Sequence, residues 1–377
     1  MSAESPPHGG ARPITIAVDA MGGDHAPAAV VAGAVAAAAE LDIDVILTGR
    51  SAQLGPLLAA HAPAHGSGRA RPAGAGEQVR IAAADDTLAM DEGALASWRR
   101  PRSSVAIACQ LIRRGQVAAV VSAGSTGGIV ATARLRLRSL PGVMRPGLAV
   151  VLPTQPGPTL LVDAGAIADP KPEMLVAFAQ LGVAYAQVAH GIAEPRVGLL
   201  TIGAEPGKGN RLTRRAHELL ASPHPHGGLP IRFVGNVEGS DLLLAKADVI
   251  VTDGFTGNVA LKALEGATAF ATQQMRVALQ ASAAARFGTL FQRRGLRDLR
   301  GRMDAETYGG AALLGLEGTV VIAHGASTAK GITSACRLAA DLAQGQITEK
   351  IKERFGPARG HFLRRSRTDG QAPLGPG

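Results

Sequence analysis

Ten short apolar runs, each leading into a polar loop or turn, set the terms on which this chain can fold. They are ITIAVD (14–19), DVILTG (44–49), QVRIAA (78–83), VAAVVSAG (117–124), LAVVLPT (148–154), TLLVDAG (159–165), RVGLLTIG (196–203), IRFVGN (231–236), DVIVTDG (248–254) and TVVIAHG (319–325). Many are apolar without alternation, the pattern of parallel strands covered on both faces. Helical patterns fill most of the intervals, over 26–40, 103–115, 127–138, 173–190, 209–220 and 328–344. Such β-α-β alternation implies an α/β protein, three layers (α/β/α) around a largely parallel sheet.

One segment breaks the rhythm. Residues 258–303 have helical propensity and no strand run, and they read as a helical hairpin inserted into the α/β unit. Its second half mixes Phe287, Leu290, Phe291, Leu296 and Leu299 with six arginines. That mixture suits either a dimer-packing helix pair or a surface that touches anionic lipid. The organisation expected is a disordered tail over 1–12, one catalytic α/β domain over 13–357 that includes the hairpin, and a disordered basic tail over 358–377.

Composition narrows the function classes. The net charge of +9 invites nucleic acid as a partner, but the arginines are scattered and aromatics make up only 3% of the chain, too few for base stacking. Nucleic-acid binding is therefore not expected. The longest apolar run, VVAGAVAAAA (30–39), is too short to span a bilayer. No basic-then-apolar leader opens the sequence, which points to a cytoplasmic location. Cys109 and Cys336 sit in apolar helical contexts without metal-ligand spacing and read as buried packing thiols. No metal and no cofactor is expected.

The carboxyl ends of the strands carry the polar residues. In an open parallel sheet those ends form one rim where ligands bind. Asp19, Asp24, His25 and Ser122 fall there from the first half of the chain. Asp163, Lys208, Asn210, Asn236, Glu238, Asp253, Asn258 and His324 fall there from the second. The loop SAGSTGG (122–128) is the most telling. Glycine lets backbone N–H groups approach a ligand, and the helix that follows presents its unpaired N–H groups to the same place, an arrangement that holds phosphate. Gly124, Ser125, Thr126, Gly127 and Gly128 are the candidate phosphate binders. GAEPGKGN (203–210) fails the nucleotide P-loop spacing, and no G-x-G-x-x-G follows the first strand, so a small phosphate survives better than a nucleotide or NAD. No G-x-S-x-G elbow is present either; the residues suit positioning and charge stabilisation without a covalent intermediate.

Taken together, IAVDAMGGDHAP, SAGSTGG, VDAGAIADPKPEMLVAFAQLG, VGLLTIGAEPGKGN, FVGNVEGSDLL, DVIVTDGFTGNVALKALEG and YGGAALLGLEGTVVIAHGAS look like the motifs of the bacterial phosphate acyltransferases of phospholipid synthesis. The resemblance runs from about Pro13 to Phe355, in order. It implies a fold related to the isocitrate/isopropylmalate dehydrogenase type. It also implies transfer of a long-chain acyl group from acyl-acyl-carrier protein to inorganic phosphate, on the way to phosphatidic acid. A homodimer is implied, with peripheral membrane contact near the downstream glycerol-phosphate acyltransferase. Two departures stand out: Ser125 and Ile167 occupy positions where the family usually has Asn.

With that reaction in view, phosphate is expected on the N–H groups of Gly124–Gly128, helped by Lys208, Asn210 and His25. Asn236 and Asn258 are candidate oxyanion donors, and Asp253 a residue that orients one. Asp24, Lys171, Glu238 and His324 complete the candidate set. Arg99, Arg100 and Arg102, or Arg293 and Arg294, are candidates for steering an acidic carrier protein. The competing readings are a phosphotransacetylase-like enzyme that uses acyl-CoA and a non-enzymatic membrane scaffold.

Overall fold

The computed structural model describes residues 13–61, 78–92, 95–223, 228–282, 292–296, 301 and 305–355. Both expected tails, and much of the expected hairpin's second half, lie outside the described residues.

All ten apolar runs form strands: β1 (Thr15–Asp19), β2 (Asp44–Gly49), β3 (Val79–Ala83), β4 (Ala119–Ser122), β5 (Gly147–Leu152), β6 (Thr159–Val162), β7 (Arg196–Leu200), β8 (Arg232–Val237), β9 (Val249–Val251) and β11 (Thr319–Ile322). The eleventh strand, β10 (Ala311–Leu314), comes from AALL between two glycine turns. The helices are α1 (Ala28–Leu41), α2 (Ser51–Ala60), α3 (Ala96–Arg99), α4 (Ser104–Arg113), α5 (Thr126–Arg136), α6 (Pro172–Ala189), α7 (Arg211–Leu220), α8 (Gly254–Gln280), α9 (Ala329–Gln344) and α10 (Ile347–Phe355).

The strands form one sheet in the order β3-β2-β1-β4-β11-β10-β5-β6-β9-β7-β8. Strands β1, β2, β3, β4 and β11 are mutually parallel, as are β6, β9, β7 and β8. Between the two sets, β10 runs antiparallel to both β11 and β5, and β5 antiparallel to β6. The sheet is largely parallel but reverses direction at its centre. The carboxyl ends of the two sets therefore lie on opposite edges, and the expected single rim of polar loops is two rims.

Helices cover both faces. One core joins α1, α6, α9 and α10 to the sheet, with Phe178, Leu181 and Tyr185 of α6 fully buried beneath it. The other joins α4 and α5 with the first turns of α8, through Ile129, Ala133, Leu148, Leu161 and Leu264. Alanine dominates the helix interfaces (Ala34, Ala37, Ala335 and Ala339 are fully buried), which lets α1 and α9 pack closely in a chain with few aromatics. Cys109 and Cys336 are both buried in these cores, as the sequence suggests, and burial pushes both thiols up to about 12.

Helix α8 begins four residues before the expected hairpin and runs 27 residues, of which only Gly254 and Gly257 are buried. Its start is fixed locally. Asp253 caps it, Oδ1 accepting the Thr256 amide at 2.8 Å and Oδ2 the Thr256 hydroxyl at 2.8 Å. Gly257 is required because a Cβ there would overlap the Asp163 carbonyl.

Candidate active site

Two buried aspartates organise the two rims. Asp19 ends β1, fully buried, and Oδ2 accepts the Ser122 hydroxyl at 2.6 Å. Ser122 Oγ in turn accepts the Gly124 amide at 3.2 Å, so β1 shapes the first turn of the glycine loop. Gly22 lies against all three; a Cβ there would sit 2.8 Å from both Asp19 Oδ2 and the Gly124 nitrogen. That close approach is what the DAMGG motif supplies. Burial raises the Asp19 carboxyl above its ordinary range, partly offset by hydrogen bonds from Ser122 and the Met21 amide.

Asp163 does the same at the end of β6. Its carboxylate accepts four amides, from Leu148 at 2.9 Å, Gly165 at 3.1 Å, Ala166 at 2.9 Å and Ile167 at 2.7 Å. Burial again raises its pKa, against the pull of those bonds. Ile167 contributes its backbone here, so the turn does not depend on that residue's side chain.

Between the rims lies a cavity of about 1510 Å³. Its floor is β5, through Leu148, Val150 and Leu152; α8 forms a wall through Leu261 and Leu264. One pole is made by Thr126, Gly127 and His324, the other by Gly165, Gly254 and Asn258. The strand register puts the His324 loop near Leu152 and the Asp163 turn near Leu148, about 13 Å apart along the strand direction, and β11 and β6 lie three strand spacings, about 14 Å, apart across the sheet, so the poles stand about 20 Å apart on the diagonal. Near Gly165 the Asn258 side chain approaches closely: a Cβ on that glycine would lie 3.5 Å from it.

The first pole is where the glycine loop opens. Ser125 caps α5, its Oγ accepting the Gly128 amide at 3.3 Å. The Gly124 and Gly128 amides are thus used within the loop. The Thr126 and Gly127 amides have no partner among the described residues, and open space surrounds Gly127. Both residues line the cavity, at the positive end of α5. His324 stands beside them. Its Nδ1 accepts the Ala326 amide at 3.2 Å, which leaves Nε2 to carry the proton of the neutral ring and donate it outward. The loop of Asp24 and His25, both exposed, joins this pole through the Asp24 amide bonded to the Gly325 carbonyl at 2.8 Å.

The remaining expected residues sit elsewhere. Six strand spacings separate β7 from β4, about 29 Å, and their carboxyl ends lie on opposite edges. Within one chain Lys208 and Asn210 therefore do not come near the Gly124–Gly128 loop. Asn210 caps α7, accepting the Thr213 amide at 2.9 Å. Asn236 is committed to His217 Nδ1 at 2.9 Å and the Glu205 carbonyl at 2.7 Å. Glu238 forms a capping box with Asp241. Lys171 is the exposed N-cap residue of α6, whose first position is Pro172. Asp253 is the cap of α8, and of these remaining candidates only Asn258 lines the cavity. What the residue pattern did not signal is segment 86–92, which packs on the first pole; it has neither strand nor helix periodicity.

A helix end with free amides beside a long apolar cavity, in an α/β/α fold, suits an enzyme that brings an anion to an acyl group. Comparison with known proteins agrees. Residues 14–350 match the family described as fatty acid synthesis protein. The phosphate acyltransferase of Thermobifida fusca is 61% identical over 352 residues, 93% of each chain. That of Thermus thermophilus is 43% identical over 340 residues, 90% of this chain and 98% of its own. Among solved structures, a phosphotransacetylase from Streptococcus pyogenes superposes with a TM-score of 0.57 at 17% identity, covering 89% of this chain and 94% of its own, a likeness of fold. The chain belongs to the fatty acid synthesis protein family, that of the phosphate acyltransferases, and is an acyltransferase of lipid synthesis.

Proposed function

We propose that the enzyme transfers a long-chain acyl group from acyl-acyl-carrier protein to inorganic phosphate, giving acyl phosphate and free carrier, ahead of phosphatidic acid. The observation that carries this reading is the pair of free amides at Thr126 and Gly127 opening on an apolar cavity. Phosphate held there presents one oxygen to the thioester carbonyl. That oxygen forms the new C–O bond, the carbonyl electrons move onto oxygen, and collapse expels the carrier thiolate, which takes a proton from solvent. Inorganic phosphate has its second pKa near neutrality, so a substantial share is already dianionic and the protein needs no strong base; it must orient the two reactants and support the oxyanion. The His324 Nε2–H is suited to either anion. The apolar floor between the poles suits an extended acyl chain, with Asn258 at its far end.

Exposed Ile202, Leu243, Leu244 and Phe255 follow β7, β8 and β9 and suit burial in a homodimer. No described helix is long and apolar enough to cross a membrane, so lipid contact in this reading is peripheral. The direct test incubates purified protein with acyl-carrier thioester, with and without phosphate, and assays acyl phosphate. Phosphate-dependent product supports the reading. Product from acyl-CoA alone favours the phosphotransacetylase-like alternative, and no product with either donor refutes both.

A further inference from the structure

One side chain, Arg100, ties together the two ends of segment 86–92, whose Asp86 carbonyl also accepts the Ser104 amide at 3.0 Å. Arg100 Nη1 donates to Asp86 Oδ1 at 2.8 Å and to the Thr87 carbonyl at 2.9 Å; Nη2 donates to Glu92 Oε1 at 2.6 Å. The other Glu92 oxygen accepts the Ala89 amide at 2.8 Å. The guanidinium thus grips both ends of the segment and sets its curvature. The inner side of that curve rests on the pole. The Glu92 carbonyl accepts the Ser125 hydroxyl at 3.3 Å, Leu88 lies over Gly128, and Met90 lies over Gly325 next to His324.

We propose that Arg100 is a positioning residue for phosphate: through Glu92 it fixes Ser125 and the amides at the start of α5. The proposal rests on the assignment of phosphate to that helix end. Arg100 and Asp86 are each about a third exposed, at 36%, and ion pairs of that exposure add little to stability. Their value is geometric. A rigid fork makes three bonds in fixed directions, which a lysine ammonium on a flexible stem does not reproduce. A shift near 1 Å in a substrate-positioning group costs rate and affinity out of proportion to the stability lost.

The experiment is calorimetric titration of inorganic phosphate into the wild type, Arg100→Ala, Arg100→Lys and Glu92→Gln, with thermal midpoints and steady-state kinetics on each. Arg100→Ala should weaken phosphate about 10-fold or more and raise the phosphate KM by the same factor, with the thioester KM held within about 2-fold and the midpoint within about 3 °C. Arg100→Lys and Glu92→Gln should fall between it and the wild type. Should Arg100→Ala not fold, those two variants decide. Wild-type affinity in all variants that fold, or equal losses in both KM values, overturns the proposal while leaving the phosphate assignment standing. A wild type that binds no phosphate overturns both.

Discussion

Replacing Gly127 with Asp should abolish phosphate binding without harming the fold. Gly127 is the second residue of α5, and a Cβ built there meets nothing within 4 Å, so the side chain fits. An acid in the first turn of a helix is favourable, and glycine is the poorer helix former; together these contribute about 0.5–1 kcal/mol of stability. The new carboxylate, however, takes the place of the ligand. A unit charge about 5 Å from a phosphate dianion, at an effective dielectric of about 40–80, repels it by about 2–3 kcal/mol, a loss of about 30- to 150-fold in affinity. Gly127→Asn has the same shape and no charge, and should keep phosphate affinity within about 3-fold. Calorimetry with phosphate and thermal denaturation of both variants make the comparison. If the Asp variant binds phosphate like the Asn variant, the phosphate does not sit at this helix end.

Three further outcomes follow from the packing. Gly257→Ala drives a methyl group into the Asp163 carbonyl and should cost about 3 kcal/mol in urea denaturation; a loss below about 0.5 kcal/mol would show that α8 shifts freely. The folded-state pKa of Asp19 is raised above its ordinary 3.8, so its burial penalty is absent below that value and grows as pH rises through the folded pKa. The stability of Asp19→Asn relative to wild type should therefore improve between pH 4 and pH 7, and a constant difference would contradict the burial argument. Cys109 and Cys336, with thiols pushed up to about 12, should resist alkylation at pH 8 until urea is added; prompt modification of the native protein would place them at the surface.

The strands were legible because continuous apolar runs leave few alternatives, and α6 announced itself through Pro172 and an 18-residue apolar pattern. The reversal at the sheet centre was legible too, in a different register. Only six residues, PTQPGP, join β5 to β6, and four join β10 to β11; neither connection has room for a crossover helix, so both must be antiparallel hairpins. Strand content alone hides this, and so the polar loops read as one rim. At the site, the glycine loop was visible as backbone chemistry. Ser125, Asn210 and Asp253 illustrate the difficulty with side chains: the residue types that bind ligands at helix starts are those that cap helices, and one sequence does not separate the roles. Arg100 drew notice only as surface charge, because its three partners are brought together by a turn with no periodic signature.

A crystal soaked in inorganic phosphate tests the central claim most directly. Density is expected within hydrogen-bond distance of the Thr126 and Gly127 nitrogens, beside His324. Density instead at Lys208 and the start of α7, with the end of α5 empty, would contradict it.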